Sequence, residues 1–297
     1  MKVLVSYRGI PQSPGWATGD LVVKAFRALG HEVYPYAKYY QQNQWVNSDP
    51  TFGLDKHDWD LILYMECNDG DPQYAELAVA RARKTACWLF DTSYYHDRCK
   101  SIVDYFRFDH IFLANPLTIR EYKVWGYKDV HYLPYACDST LHVRPLDFPK
   151  SHDVVLVGSI RDDRKCLANE LDKHGVHLKL IGGVFREQYI DSLASAKIVI
   201  NQNPQEGRGL LNMRYWETPA AGSLLFTEAV DMLMNDQTVR GLPWYDDIEK
   251  LAASCKWFLK EADILQGACQ TAQEDVLANH TYKNRCQQII QTVFPHG

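Results

Sequence analysis

Asn212-Met213-Arg214-Tyr215-Trp216-Glu217-Thr218-Pro219-Ala220-Ala221-Gly222-Ser223-Leu224-Leu225-Phe226-Thr227-Glu228 sets an amide, a guanidinium and a carboxylate within six residues, then a small-residue turn, then an apolar strand. With residues 211–221 helical, Asn212 opens the helix, and Arg214 and Glu217, three apart, share a face. The free N–H groups and positive dipole end of such a helix favour an anion. Arg214 adds a charge-assisted grip on phosphate, and Glu217 accepts hydrogen bonds from hydroxyls. Anion and diol together describe a nucleoside diphosphate with its ribose. The competing reading of the same residues is an ordinary helix whose Arg214 and Glu217 form a surface pair.

Outward from this stretch, short apolar runs alternate with helical patterns. Residues 2–7, 31–36, 61–66, 86–91, 110–114 and 131–133 read as strands, with helical patterns at 20–29, 73–83 and 116–125. Gly30 stands where a helix ends in a left-handed residue. The pattern restarts with strands at 154–159, 177–181, 198–201 and 224–227, a helix running to His174 between the first two. Such alternation predicts parallel sheets covered on both faces. At 297 residues the chain exceeds the usual single core. The polar segment 145–152, with two prolines, is the natural linker. The expectation is therefore α/β, with two Rossmann-like domains at 1–147 and 148–275 and a helical segment at 276–297. Ligands belong in a cleft between such domains, at the C-terminal ends of the strands.

Composition narrows the class. Hydrophobic residues at 46% and charged residues at 23% are ordinary for a globular protein. A formal charge of −5 gives no global drive toward nucleic acid. No apolar run approaches the ~20 residues that span a bilayer, and residues 1–7 read as a strand rather than a signal peptide. The eight cysteines are scattered and form no C-x-x-C pair, and on these spacings no zinc site is expected; reduced thiols and a cytoplasmic location are expected. The absence of G-x-x-x-x-G-K-[ST], G-x-G-x-x-G and G-x-S-x-G argues against a P-loop NTPase, a dinucleotide dehydrogenase and a serine hydrolase.

Four further constellations could carry chemistry. Gly158-Ser159-Ile160-Arg161 joins a strand to a helix, suiting phosphate contact by backbone N–H groups, and Arg161, Arg164 and Lys165 bring positive charge to its mouth. The long loop 8–18, with Arg8, Gly9, Gly15 and Trp16, could let a substrate approach the backbone. Asp91 closes a strand and His96 follows; either could be a base, and Asp91 could equally cap a helix. Asp69-Gly70-Asp71 spells a D-x-D triplet used for metal in some sugar transferases, in a segment where Asp and Gly also serve turns.

The second half resembles the CgeB-like branch of the group-1 glycosyltransferases, a family built on the GT-B fold. The resemblance rests on residues 153–159, Ile181-Gly182-Gly183-Val184-Phe185, Asn201, residues 211–217, Ala220-Ala221-Gly222 and His280-Thr281-Tyr282-Lys283-Asn284-Arg285. In the first half, residues 132–138 and the acidic strand end at 88–91 look like the family's. The resemblance implies a C-terminal domain that binds a nucleotide-sugar donor and an N-terminal domain that holds the acceptor. Glu217 would grip the ribose, Arg214 and Asn212 would face the diphosphate, and residues 182–185 would lie near the base. The last segment would form a helix crossing back to the first domain. Many group-1 enzymes carry E-x₇-E; here Gly209 stands eight residues before Glu217 and the nearest acid is Glu206, so the sugar contact and retaining stereochemistry are unassigned.

The expected activity is transfer of a hexosyl or pentosyl group without metal and without any cofactor beyond the donor. Arg161, Arg164 or Lys165, with Arg214 and helix N-termini, would stabilise the departing diphosphate. Asp91 or His96 would take the acceptor proton if the enzyme inverts. A glycan, small molecule, protein or modified nucleic acid could be the acceptor. A nucleotide-sugar 2-epimerase and a non-catalytic coat protein on the same fold are the other two readings.

Overall fold

The computed structural model describes residues 1–10, 15–41, 44–47, 57–65, 80–93, 95–203, 211–229 and 238–295. The D-x-D triplet at 69–71, Glu206, Gly209 and residues 73–79 of an expected helix lie outside them. The chain forms two compact units: Met1–Pro134 with Tyr282–Gly297, and Tyr135–Thr281. No helix among the described residues is long and apolar enough to cross a membrane.

The first unit holds a seven-stranded sheet made of β1 (Lys2–Arg8), β2 (Glu32–Gln41), β3 (Gln44–Asn47), β4 (Asp58–Met65), β5 (Arg81–Leu89), β6 (His110–Leu113) and β7 (Val130–Tyr132). The strand order is β3-β2-β1-β4-β5-β6-β7, and only β3 is antiparallel to its neighbour. Val3, Leu4 and Val5 are fully buried, as parallel strands covered on both faces require. Helix α1 (Thr18–Ala28) ends as expected: Gly30 has φ +82°, its N–H bonds Arg27 O, and His31 N–H bonds Phe26 O. Helices α2 (His96–Phe106) and α3 (Ile119–Val124) follow β5 and β6. Residues 81–83, expected to finish a helix, open β5 instead. Arg81 pairs with Asp58 and Ala82 with Trp59, so the ladder to β4 overrides local helix preference.

The second unit contains β8 (His152–Val157), β9 (Lys179–Ile181), β10 (Ala196–Asn201), β11 (Leu224–Glu228) and β12 (Trp244–Tyr245) in the order β12-β11-β10-β8-β9, all parallel. Between them run α4 (Asp162–Lys173), α5 (Arg186–Ala194) and α6 (Arg214–Ala220); α7 (Ile248–Lys260) and α8 (Ala262–Asn279) complete the unit. The small-residue turn behaves as read. Gly222 has φ +78°, its N–H bonds Pro219 O, and Ser223 Oγ then donates to main-chain carbonyls within 2.8 Å. Helix α6 starts at Arg214 rather than 211 because the Asn212 side chain takes the Arg214 N–H at 3.1 Å. The last helix, α9 (Tyr282–Val293), belongs to the first unit, where it packs on α1 and buries Arg285 against Pro134 O.

Candidate functional site

In the second sheet the chain turns from β8 to β9 on one side and to β10 on the other. Side chains at the C-terminal ends of β8 and β10 therefore border a ready crevice. Gly158 ends β8 with φ +140°, a backbone conformation that side chains rarely adopt. A Cβ there would stand 2.9 Å from Arg164 Nη1 and 3.1 Å from Arg214 Nη1. Two guanidiniums thus converge on one glycine hollow. Arg164 is 2% exposed and donates to Ser159 O at 2.7 Å. Among the described residues neither arginine forms an ion pair. Burial, then the charges of Arg214 and Arg161, push Arg164 down to about 10, so it stays protonated at neutral pH. Two adjacent cations, with no carboxylate between them among the described residues, are electrostatically opposed until an anion joins them.

Asn201 holds one of this pair, Arg214. Its Oδ1 accepts from Arg214 Nε at 3.0 Å and from Asn212 Nδ2 at 2.8 Å, while its Nδ2 donates to Thr227 Oγ1 at 3.1 Å. Asn212 Nδ2 also donates to Asn203 Oδ1 at 2.9 Å. Both amides, expected to meet the donor, spend these bonds inside the protein and orient Arg214. Asn201→Ala leaves the part-buried Arg214 Nε without its acceptor and takes from Asn212 Nδ2 one of its two. Urea denaturation should show a loss of about 1–3 kcal/mol; unchanged stability would contradict the hub role.

Glu217, on α6, is 1% exposed. Tyr189 of α5 donates its hydroxyl to Oε2 at 2.6 Å, and His142 Nε2 lies 3.7 Å from Oε1. His142 Nδ1 accepts the Asp138 N–H at 3.0 Å, which leaves the proton of the neutral ring on Nε2, facing the carboxylate. Burial, followed by the Glu217 charge, holds the Tyr189 phenol well above its ordinary range, so it stays a donor. Sequence reading missed Tyr189 and His142, since nothing near either residue signals a distant carboxylate.

Of the three cations expected at the mouth of this crevice, Arg164 alone enters the hollow. Arg161 pairs with Asp163 at 2.7 Å and Lys165 with Asp162 at 2.8 Å. Ser159 contributes its carbonyl to hold Arg164. The loop after β9 packs close by: a Cβ at Gly182 would meet Ile160 Cγ1 at 2.8 Å, and Gly183 turns the chain at φ +71°. Val184 is half-buried, while Phe185 is 72% exposed and Ile160, which packs on Gly182, 51% exposed.

In the first unit, Arg8 and Gly9 stand at the C-terminal end of β1, the strand from which the order runs to β2 on one side and β4 on the other. Gly9 N–H bonds Lys38 O at 2.8 Å. Gly15, at φ +82°, donates its N–H to Asp20 Oδ2, which also takes the Ala17 N–H; half-buried Trp16 lies between them. Residues 11–14 of this loop lie outside the described set. Asp91 follows β5, and its carbonyl accepts the Tyr95 N–H, so the helix cap is Tyr95 instead. His96 is turned toward α3, with Nε2 3.0 Å from Glu121 Oε2 and its ring edge-on to Trp125.

A family model described as glycosyl transferase-like matches residues 142–291, half of the chain. The protein belongs to that family. No curated protein matches this glycosyl transferase-like chain. Solved structures do, over nearly its whole length. Sucrose-phosphate synthase from Thermosynechococcus elongatus is 11% identical with a TM-score of 0.63, covering 98% of this chain and 97% of that one. Anabaena HepE, solved with UDP and glucose, is 12% identical with a TM-score of 0.62, covering 98% and 99%. An alpha-glucosyltransferase, solved with UDP and a 13-mer DNA containing a HMU base, is 11% identical with a TM-score of 0.65 and 98% coverage of each chain. The glycosyl transferase-like chain therefore has the GT-B fold, built from two parallel-sheet α/β domains.

Proposed function

We propose that this glycosyl transferase-like protein, as a member of the CgeB-like branch, transfers a sugar from a uridine-diphosphate donor without using metal. The observation that carries the reading is the convergence of two guanidiniums, Arg164 and Arg214, over Gly158, neither in an ion pair among the described residues. A diphosphate fits between them: it brings two to three negative charges to a place where two fixed cations already repel each other. Solved structures of the same fold contain UDP, which supports the choice of base. The exposed faces of Ile160 and Phe185 give uracil an apolar platform. Glu217 takes the ribose hydroxyls once the diol replaces the Tyr189 hydroxyl at Oε2.

In the reaction the bond between the anomeric carbon and the β-phosphate oxygen breaks, and an acceptor oxygen forms the new bond to that carbon. Arg164 and Arg214 stabilise the charge that grows on the departing diphosphate. The acceptor's proton goes to Asp91 in an inverting reaction, or to the departing phosphate oxygen in a retaining one. His96 is the weaker choice of base because Glu121 and Trp125 already hold its ring. Arg8, Gly9, Gly15 and Trp16 would hold the acceptor, whether glycan, small molecule, protein or modified nucleic acid.

Melting curves with UDP, GDP, ADP and dTDP test the donor. A ligand at 100 times its Kd stabilises the native state by about 2.7 kcal/mol, and UDP should raise the melting point most. Glu217→Gln keeps the shape but weakens acceptance from the ribose. It should lower UDP affinity about tenfold by calorimetry, as expected for the loss of a charged hydrogen bond. An unchanged Kd would remove Glu217 from the ribose.

A further inference from the structure

His110, Asp129 and His131 lie in the first unit, apart from every residue assigned above. Strands β6 and β7 pair Ile111 with Val130 and Phe112 with His131. Continuing that register by one residue sets Asp129 beside His110, and Ile111 N–H indeed bonds Asp129 O at 2.8 Å. Paired residues of a parallel ladder share a face, and so do residues two apart on one strand. All three side chains therefore emerge on one face, away from the face where Ile111, Leu113 and Val130 join the buried core.

Two observations point to a cation. The ligand atoms of the three side chains lie within 4.8 Å of one another, with His131 Nε2 3.8 Å from Asp129 Oδ1. Both ring nitrogens of His110, and Nε2 of His131, are buried without a hydrogen-bond partner among the described residues. Buried polar atoms normally find partners, so two histidines with unsatisfied ring nitrogens beside one carboxylate need an explanation. A metal ion supplies it for one nitrogen of each ring. Zn–N and Zn–O distances near 2.0–2.1 Å set neighbouring ligands roughly 3.3 Å apart, within reach of small side-chain rotations from the present separations.

We infer that His110, Asp129 and His131 bind a first-row divalent cation of the Zn²⁺ class, leaving at least one coordination position open. Two imidazoles and one carboxylate suit Zn²⁺, Co²⁺ or Ni²⁺ better than Mg²⁺ or Ca²⁺, which prefer all-oxygen shells. The site is reachable from solvent: the side chains of Asp129 and His131 are 60% and 35% exposed. Asp129 also lines a groove of about 540 Å³. This departs from the sequence expectation of no zinc site, which rests on cysteine spacings: the ligands are two histidines and an aspartate, brought together by the β6–β7 register.

The test uses full-length protein stripped of metal by a chelator and titrated with Co²⁺, then with Zn²⁺ in competition. Expected are visible d–d absorption bands that saturate at one Co²⁺ per chain and are bleached by Zn²⁺. His131→Gln and Asp129→Asn, which retain side-chain volume, should each weaken Co²⁺ binding by more than about 100-fold, since loss even of a supporting hydrogen bond costs about 10–100-fold. Far-ultraviolet circular dichroism of each variant confirms the fold. Absence of the bands, or bands of equal affinity in the folded variants, would overturn the site.

Discussion

Arg214→Ala is expected to lower the turnover of sugar transfer by about 100- to 1,000-fold, the range seen when one preorganised donor to developing charge is removed. The size of the effect follows from how the side chain is held. Asn201 fixes the Nε edge at 3.0 Å, and this leaves the Nη edge presented over Gly158 beside Arg164. In the proposed reaction, nothing at Arg214 has to reorganise as the diphosphate departs. Arg214→Lys should recover little, because one ammonium cannot serve Asn201 and a phosphate oxygen together as a fork can. Single-turnover kinetics with saturating UDP-sugar separate the step: a loss confined to the donor's Kd would make Arg214 a ground-state anchor only. Full activity in the alanine variant would take Arg214 out of the site.

Much of this site could be read from residues 212–228 because its signals are local. A helix, a glycine in left-handed conformation at 222 and a buried strand need only near neighbours to declare themselves. Arg164 was less visible among Arg161, Arg164 and Lys165, although a signal existed. Arg164, Leu167 and Leu171 are the buried residues of α4, at the i, i+3, i+7 spacing of an inward face, so helical phase alone separates Arg164 from its solvated neighbours. Tyr189 and His142 carry no comparable mark, since each meets Glu217 only through tertiary packing. The start of β5 was misread for the same reason: a polar, alternating segment looked helical until pairing with β4 decided it. The roles given to Asn201 and Asn212 show a further limit. An amide in a motif identifies a hydrogen-bonding group, while the geometry shows which partners it already has within the protein, here Arg214 among them.

Gly158→Ala should cost both stability and donor affinity, and the two losses have separate causes. Holding alanine at φ +140° stores backbone strain of about 1–3 kcal/mol. The added methyl would also press on Arg164 Nη1 at 2.9 Å and Arg214 Nη1 at 3.1 Å. The ends of free arginines would swing aside cheaply, but these two are tethered to Ser159 O and Asn201 Oδ1. The cations would separate, and the hollow proposed for the diphosphate would fill. UDP affinity of the folded variant should fall more than tenfold, or about 1.4 kcal/mol. Gly175→Ala supplies the control: φ is +72° with nothing within 4 Å of the new methyl, so strain appears without steric pressure on any neighbour. That variant should melt earlier than the wild type and bind UDP unchanged. If both alanines leave UDP affinity intact, the paired arginines over Gly158 are not where the diphosphate sits.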